Sequence, residues 1–184
     1  MKTVASIVIG VMVSLTGFGQ QFEGTEVGID GYFGASTNGG SFSIGAKYGM
    51  EPSEKFIFGP SVRFQRNWSN NTFTGINGAY NVYGFGAFGH ARFANVLFAG
   101  AEFELMRSPF NNTVIGGGPT WTPSLFLAGG YSQEFNERFR INAGVMYDVI
   151  NSLNSPFRQG YFMRNSNQVI IPLMYRITFF FPLS

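Results

Sequence analysis

Apolar and polar side chains alternate with a period of two in eight separate stretches of this 184-residue chain. In the first stretch, 26–35, Val27 and Ile29 fall on one side, and Glu26 and Asp30 fall on the other. Successive side chains of a β-strand point to opposite faces, whereas an amphipathic helix repeats every 3.6 residues. The pattern therefore predicts an all-β protein in which each strand separates two different environments.

The other seven predicted strands and their links form a regular series. The strands lie at 41–50, 56–65, 82–93, 97–106, 123–132, 139–149 and 169–181. No later stretch holds 18 consecutive apolar residues, so transmembrane helices are not expected. After a short first link at 36–40, short links at 50–55, 93–96 and 135–138 alternate with longer ones at 67–77, 107–120 and 151–167. Short turns at one end and long loops at the other are typical of an outer-membrane β-barrel, with both termini on the periplasmic side.

The charged residues indicate which face of each strand points inward. Every mid-strand charge, five acids and five bases, shares the polar face with His90: Glu26, Asp30, Lys47, Arg63, Arg92, Glu102, Glu104, Arg140, Asp148 and Arg176. A Lys or Arg that faces lipid at the bilayer midplane costs about 2–4 kcal/mol. Arg66 and Arg107 share the parity of the apolar face but lie at loop ends, where this cost falls towards zero. We therefore expect the apolar face to contact lipid and the charged face to fill the lumen.

The lumen of such a barrel is expected to be plugged. An eight-stranded barrel is only wide enough for its own side chains, and buried charges must be paired. Equal numbers of acids and bases allow that pairing, so we predict an ion-paired lumen network rather than a pore. His90 is expected to bond Glu102 or Glu104 across a hairpin, next to Arg92. Pro60 and Pro172 lie within predicted strands, where each removes a ladder donor, so bulges or short gaps are expected there.

A soluble barrel with an apolar ligand cavity is the alternative fold. Its charged face would point into water, yet that face is rich in Gly, Phe and Met, and only Lys47 and Lys55 are lysines after the N-terminal segment. Charged residues make up 12% of the chain, about half the usual ~25%. The chain has no Cys, which excludes a disulfide scaffold and a thiolate metal site. A net charge of +2 is too small to indicate nucleic-acid binding, and no cofactor or metal site is predicted.

The first nineteen residues have the layout of a secretory signal peptide. Met1-Lys2 gives a positive start, residues 4–15 are nearly all apolar or small, and Thr16-Gly17-Phe18-Gly19 resembles a cleavage site. We therefore predict a signal peptide over 1–19 and an outer-membrane barrel over 20–184.

The leader, the eight alternating strands and the aromatic-rich last strand resemble the small OmpA/OmpX-type outer-membrane barrels. Four alternate residues of the last strand resemble the C-terminal signal that the barrel-assembly machinery reads: Tyr175, Ile177, Phe179 and Phe181. Pro182-Leu183-Ser184 follow the final aromatic, whereas family chains often end on it. The resemblance implies a fold and a location rather than a function.

Enzymatic activity is not expected. Lipid A deacylases of this architecture carry a His-x-Ser pair, but here the sequence reads His90-Ala91-Arg92. The palmitoyltransferase arrangement does not match either. Glu102 and Glu104 could form an acid/base pair, but an ion-pair cluster with Arg92 is the favoured interpretation.

The loops supply the remaining candidate contacts. Aromatic and arginine residues are enriched in binding hot spots, and the loop ends carry Arg66, Trp68, Phe73, Arg107, Phe110, Trp121, Phe157, Arg158, Tyr161, Phe162 and Arg164. An interfacial belt resting on lipopolysaccharide is the favoured interpretation of these residues, and Arg66, Arg107, Arg158 and Arg164 are candidates for its phosphates.

Three functional classes remain, in order of preference. The first is a structural or accessory subunit of a larger outer-membrane complex for secretion, import or barrel assembly. The second is a surface adhesin or ligand binder, and the third is a lipid A-modifying enzyme. The expected partners are outer-membrane lipid, lipopolysaccharide, a larger barrel complex and, during biogenesis, the barrel-assembly machinery.

Overall fold

Eight long antiparallel strands carry the alternation seen in the sequence. They are β1 (Gly24–Ser36), β2 (Gly39–Ser53), β3 (Phe56–Asn70), β4 (Asn77–Phe93), β5 (Leu97–Ser108), β6 (Thr120–Phe135), β7 (Phe139–Asp148) and β8 (Leu173–Leu183). This computed structural model describes residues 23–36, 39–70, 77–93, 96–109, 118–135, 138–167 and 169–183. The predicted signal peptide lies outside the described residues, as do Phe73 and Phe110.

The strands close into a barrel. Each strand pairs with the next along the chain, and β1 pairs with β8 over 25–31 and 177–183. The prediction of a closed, eight-stranded antiparallel β-barrel is confirmed. The terminal end of the barrel, as we name it, carries Gly24, Leu183 and the connections that follow β2, β4 and β6. The loop end carries the other four connections.

The two faces of the wall differ as the alternation predicts. Outward side chains such as Val62, Phe85 and Leu127 are more than half exposed. Among the strand residues that the structure describes, Arg66 and Arg107 are the only charged ones on the outward face. Within the described part of the chain, the structure contains no helix with the length and apolarity needed to span a membrane.

Outward aromatic rings gather near both ends of the wall. At the loop end Phe33 packs on Trp68, and Trp121 packs on Tyr83 and Phe85. At the terminal end Phe139 packs between Phe135 and Phe181. The apolar outer surface is therefore bounded by aromatic residues above and below.

The sheet is interrupted at Pro60 and at Pro172, because proline has no N–H to donate to a neighbouring strand. The β2–β3 ladder has a gap beside Pro60, and its register shifts between Met50 and Ser53. Pro172 lies outside the last strand, which begins one residue later. The predicted strand over 169–181 therefore began too early in the chain. Ile170–Ile171 instead pairs with Met163–Arg164 in a small hairpin, and β8 begins at Leu173.

The β7–β8 connection folds into the barrel mouth. Its 3₁₀ helix, Pro156–Gly160, begins at Ser155, whose hydroxyl accepts a hydrogen bond from the Phe157 amide. Phe157 is completely buried and packs edge-on against Phe126 at 5.1 Å. The Pro156 carbonyl accepts a hydrogen bond of 3.1 Å from Gln65 Nε2. The prediction that Phe157 is a surface contact was wrong, because the connection turns inward and buries this ring against Phe126.

Candidate functional site

Six charged side chains meet in the middle of the lumen. We call them the central cluster: Asp30, Lys47, Arg63, Glu102, Glu104 and Arg176. They come from five strands: β1, β2, β3, β5 and β8 each place at least one charged residue on the inward face midway between the two ends of the barrel. Each is at most 5% exposed. Three acids and three bases leave no net charge in the cluster when all six are ionised.

Arg63 is the most heavily bonded cation. Its guanidinium makes a bidentate contact with Asp30, at 2.7 Å and 3.1 Å, and Nε donates to Glu104 at 2.7 Å. A Cβ at Gly45 would lie within 3 Å of both the Asp30 carboxylate and the Arg63 guanidinium. Glycine at this inward position therefore provides the space for the ion pair.

Glu102 and Glu104 are both bound to cations. Arg176 Nη1 donates to Glu102 at 2.5 Å and to Glu104 at 2.8 Å, and Lys47 Nζ donates to Glu102 at 2.5 Å. His90 Nε2 lies 2.9 Å from Glu102, one of the two partners expected for it. These contacts give the two carboxylates the geometry of a structural ion-pair cluster.

Aromatic rings separate the charges from the rest of the lumen. Lys47 lies over Phe88 at 5.2 Å, and Arg176 lies over Phe126 at 5.4 Å. The Arg63 guanidinium lies 6.0 Å from the ring of Phe157, which belongs to the inserted connection. Cation–π contacts of this kind are stronger when the cation is desolvated.

A second charged group lies at the terminal end. Arg92 pairs there with Glu26, at 2.5 Å, and with Glu51, and not with Glu102 or Glu104 as predicted. The reason is the position of Arg92 along the barrel axis. It is the next inward residue of β4 after His90, pairs with Phe98 of β5, and therefore lies closer to the terminal end. Its partners reach it across the lumen from other strands.

Arg140 also belongs to the terminal end, where it pairs with Glu134. A cavity of about 390 Å³, the terminal vestibule, is lined mainly by the charged residues Glu26, Glu51, Glu54, Arg92, Glu134 and Arg140. Sequence reasoning placed Glu51 in a link and left Glu134 between a predicted strand and the next link, and it missed the roles of both residues. Each lies two residues beyond the last inward residue of its predicted strand. Extending the alternation by one more pair of residues would have placed both carboxylates in the lumen.

Asp148 is buried but lies outside the ion-pair network. Among the described residues it makes no salt bridge. Its Oδ1 accepts backbone N–H bonds from Leu125, Ile150 and Asn151, and its Oδ2 accepts the Tyr161 hydroxyl at 2.7 Å. Burial and the Asp148 carboxylate raise the pKa of Tyr161, so the phenol stays protonated and donates. Asp148 therefore fixes the start of the β7–β8 connection, and Tyr161, predicted as a surface contact, is directed inward to it.

The other predicted loop contacts lie at the loop end in three separate places. Arg66, bonded to Asn81, and Trp68 lie on β3. Arg107 and Trp121 lie opposite each other on β5 and β6. On the β7–β8 connection, Arg158 donates to Asn151, Phe162 packs on Tyr175, and Arg164 is exposed. The structure does not join these residues into one patch.

The predicted assembly signal forms one outward row on β8. Tyr175, Ile177, Phe179 and Phe181 are each 40–48% exposed. Among the described residues, no group of His, Cys, Asp and Glu has the arrangement of a metal site.

Comparison with solved structures gives a likeness in fold. No protein-family model matches the chain, and no curated protein sequence matches it. The chain is similar to the outer membrane protein Ail of Yersinia pestis, whose backbone structure was determined in a phospholipid bilayer nanodisc. The TM-score is 0.46 and the identity 14%, over 88% of this chain and 100% of the Ail chain.

Proposed function

We propose that this protein is a small integral outer-membrane β-barrel with a closed lumen, which acts as a structural or accessory subunit of a larger outer-membrane complex. The observation that carries this proposal is the inside-out distribution of charge. The central cluster is buried in the lumen, whereas the outward face of the wall is apolar between its two aromatic ends.

The outward face supports insertion into a bilayer. A transmembrane β-strand needs about 9–11 residues, and the eight strands have 10–17. The two outward arginines lie near the loop end, where a charge costs about 0–1 kcal/mol. Aromatic residues are enriched at both interfaces of a membrane, which matches the rings around Trp68, Trp121 and Phe139.

The filled lumen supports a role without conduction. Buried ion pairs close the middle of the barrel, and Phe157 occupies the space above them. We expect no steady, solute-permeable openings when the refolded protein is added to a planar bilayer. Large openings would exclude the plug.

A role as a subunit fits a group of small outward residues in the middle of β4 and β5. They are Ala87, Gly89, Ala91, Ala99 and Ala101, and larger outward residues such as Phe85, Phe93 and Phe103 surround them. In membranes, small residues let neighbouring backbones approach closely. These small residues therefore offer a larger barrel a depression against which to pack.

Mild solubilisation of native membranes tests the subunit role. We expect wild-type protein to co-purify with a larger barrel and the Ala101→Trp variant to lose that partner. Val145→Trp, on the outward face of β7, is the matched control and should keep it. A lone monomer that binds surface ligands would instead favour the adhesin, for which the exposed hairpin of Met163–Arg164 and Ile170–Ile171 is the candidate contact.

Two further properties belong to the proposal. The termini face the periplasm, so a tag inserted at 165–167 should be accessible on intact cells and one at the C-terminus should not.

The protein is not an enzyme, so deletion of its gene should leave the mass of lipid A unchanged.

A further inference from the structure

The ladder that closes the barrel is incomplete at the loop end. β1 and β8 pair over 25–31 and 177–183, and within the described part of both strands no ladder pair joins them beyond this point. β1 nevertheless pairs with β2 up to residue 36, and β8 pairs with β7 from residue 173. The wall therefore parts between β1 and β8 over the last residues before the loops.

Side chains and the β7–β8 connection bridge this gap. The Phe33 carbonyl accepts a hydrogen bond of 3.2 Å from the Tyr175 hydroxyl, where a continued ladder would supply a backbone N–H. The Phe162 amide donates to the Leu173 carbonyl at 3.1 Å. The two strand edges are thus covered by the Tyr175 side chain and by the β7–β8 connection instead of by each other.

A cavity of about 340 Å³ occupies the gap. Its lining includes Phe33 and Tyr175, which face outward, and Tyr32 and Met174, which face inward. An unbroken wall would separate these two sets of side chains. The cavity is therefore a lateral cleft that connects the lumen side of the wall with its outer surface.

The walls of the lateral cleft are uncharged and combine apolar with polar surface, as the chain and the linkage region of a lipid do. Aromatic rings and the Met174 thioether supply the apolar part, and Ser41, the tyrosine hydroxyls and the glycine backbone supply the polar part. None of the described residues that line the cleft is charged. The Tyr32 hydroxyl at its inner side is already bonded to Ser41 Oγ at 2.7 Å. The charged terminal vestibule has the opposite character.

The depth of the cleft points to a lipid. Phe33 packs on Trp68, so the opening lies level with the outward aromatic rings of the loop end. Aromatic rings at this level mark a membrane interface. Within hydrocarbon an uncovered sheet edge is excluded, because its backbone groups would be unsatisfied. An opening at the interface remains compatible with lipid and can be filled by it.

We infer that the lateral cleft binds one acyl chain of an outer-leaflet lipid, which enters between Phe33 and Tyr175 and ends near Met174. The inference rests on the proposed membrane location and orientation. The cavity volume lies within the range of about 300–1,000 Å³ that is common for ligand sites. Phospholipid and lipopolysaccharide share this acyl-chain chemistry.

Nuclear Overhauser contacts in nanodiscs test the inference. The full mature chain would be deuterated, methyl-labelled and refolded into nanodiscs of protonated dimyristoylphosphatidylcholine. We expect cross-peaks between lipid chain protons and the Met174 methyl group. Met106, which is also inward and buried but lies on β5, is the matched control and should show none. Repeating the measurement with protonated lipopolysaccharide in deuterated phospholipid identifies the source of the chain.

Filling the cleft provides a second arm. A Cβ at Gly34 would meet no atom within 4 Å, so Gly34→Leu should enter the cavity without a clash and abolish the Met174 cross-peak. Gly118→Leu is the matched control, since a Cβ there also meets open space, and it should leave the cross-peak unchanged. The comparison of Met174 with Met106 in wild type stands whether or not the filled variant refolds.

The outcomes separate the cleft from the membrane location. Lipid cross-peaks to outward Val62 and Leu127 without one to Met174 would overturn the cleft alone. Absence of lipid contact at all three positions would overturn the membrane location itself. A Met174 cross-peak that persists in Gly34→Leu, or that arises from water or a second polypeptide, also contradicts the inference.

Discussion

Arg63 offers the sharpest test of the central cluster, because its removal changes charge without changing the outer surface. In Arg63→Met, Asp30 keeps Lys47 at 3.4 Å and Glu104 keeps Arg176 at 2.8 Å. The cluster nevertheless changes from three acids and three bases to three acids and two bases. Breaking a buried pair by removing one partner costs about 3–5 kcal/mol. We therefore expect the free energy of unfolding to fall by about that amount.

A second substitution restores the balance of charge. Asp30→Asn combined with Arg63→Met leaves two acids and two bases, so the double variant should be more stable than the sum of the single effects by about 1–3 kcal/mol. Arg66→Met is the matched control on the same strand. Arg66 is exposed and bonded to Asn81, so its loss should cost about 0.5 kcal/mol or less.

Urea unfolding of the refolded barrel in phospholipid vesicles measures these effects. The chain has two tryptophans, and their fluorescence reports the transition. Equal costs for Arg63→Met and Arg66→Met would refute the view that the cluster is buried and balanced. Additivity of Asp30→Asn and Arg63→Met within about 0.5 kcal/mol would refute the direct coupling of the pair.

Three further predictions use the same assay. Val62→Arg, at the middle of the outward face, should cost about 2–4 kcal/mol, whereas Gln133→Arg near the terminal end should cost about 0–1 kcal/mol; equal costs would argue against a lipid-facing surface. Phe157→Ala removes the buried ring of the inserted connection and should cost about 3–5 kcal/mol, and an unchanged midpoint would mean that this ring does not contribute. Tyr161→Phe removes one hydrogen bond to the Asp148 carboxylate and should cost about 1.5–3 kcal/mol; a stability equal to wild type would contradict that role.

The strands and their faces could be predicted because each wall residue has one of two surroundings. Once a charged residue such as Arg63 or Glu104 is assigned to the lumen, the period of two fixes the face of every other residue in that strand. For the same reason the inward positions of Lys47, His90 and Arg176 followed from parity alone. Closure into a barrel followed from the number of such strands and from the alternation of their links.

The pairing partners and the long connection could not be predicted in this way. Arg92 bonds Glu26 and Glu51 because the stagger of the strands sets which residues share a height, and parity carries no information on stagger. Phe157 lies in a link without periodicity, so its sequence gave no signal that it enters the lumen. The lateral cleft depends on where the β1–β8 ladder stops, which is a property of register.

Neutrality of the central cluster has a consequence for how the cylinder is completed. Without β8, the other strands bring Asp30, Glu102 and Glu104 together with only Lys47 and Arg63, so an unfinished sheet holds one excess negative charge at its core. Arg176 arrives with the final strand and cancels that excess. The charges of the interior are therefore balanced only when the last strand has paired with both of its neighbours, which links neutrality of the lumen to closure of the wall.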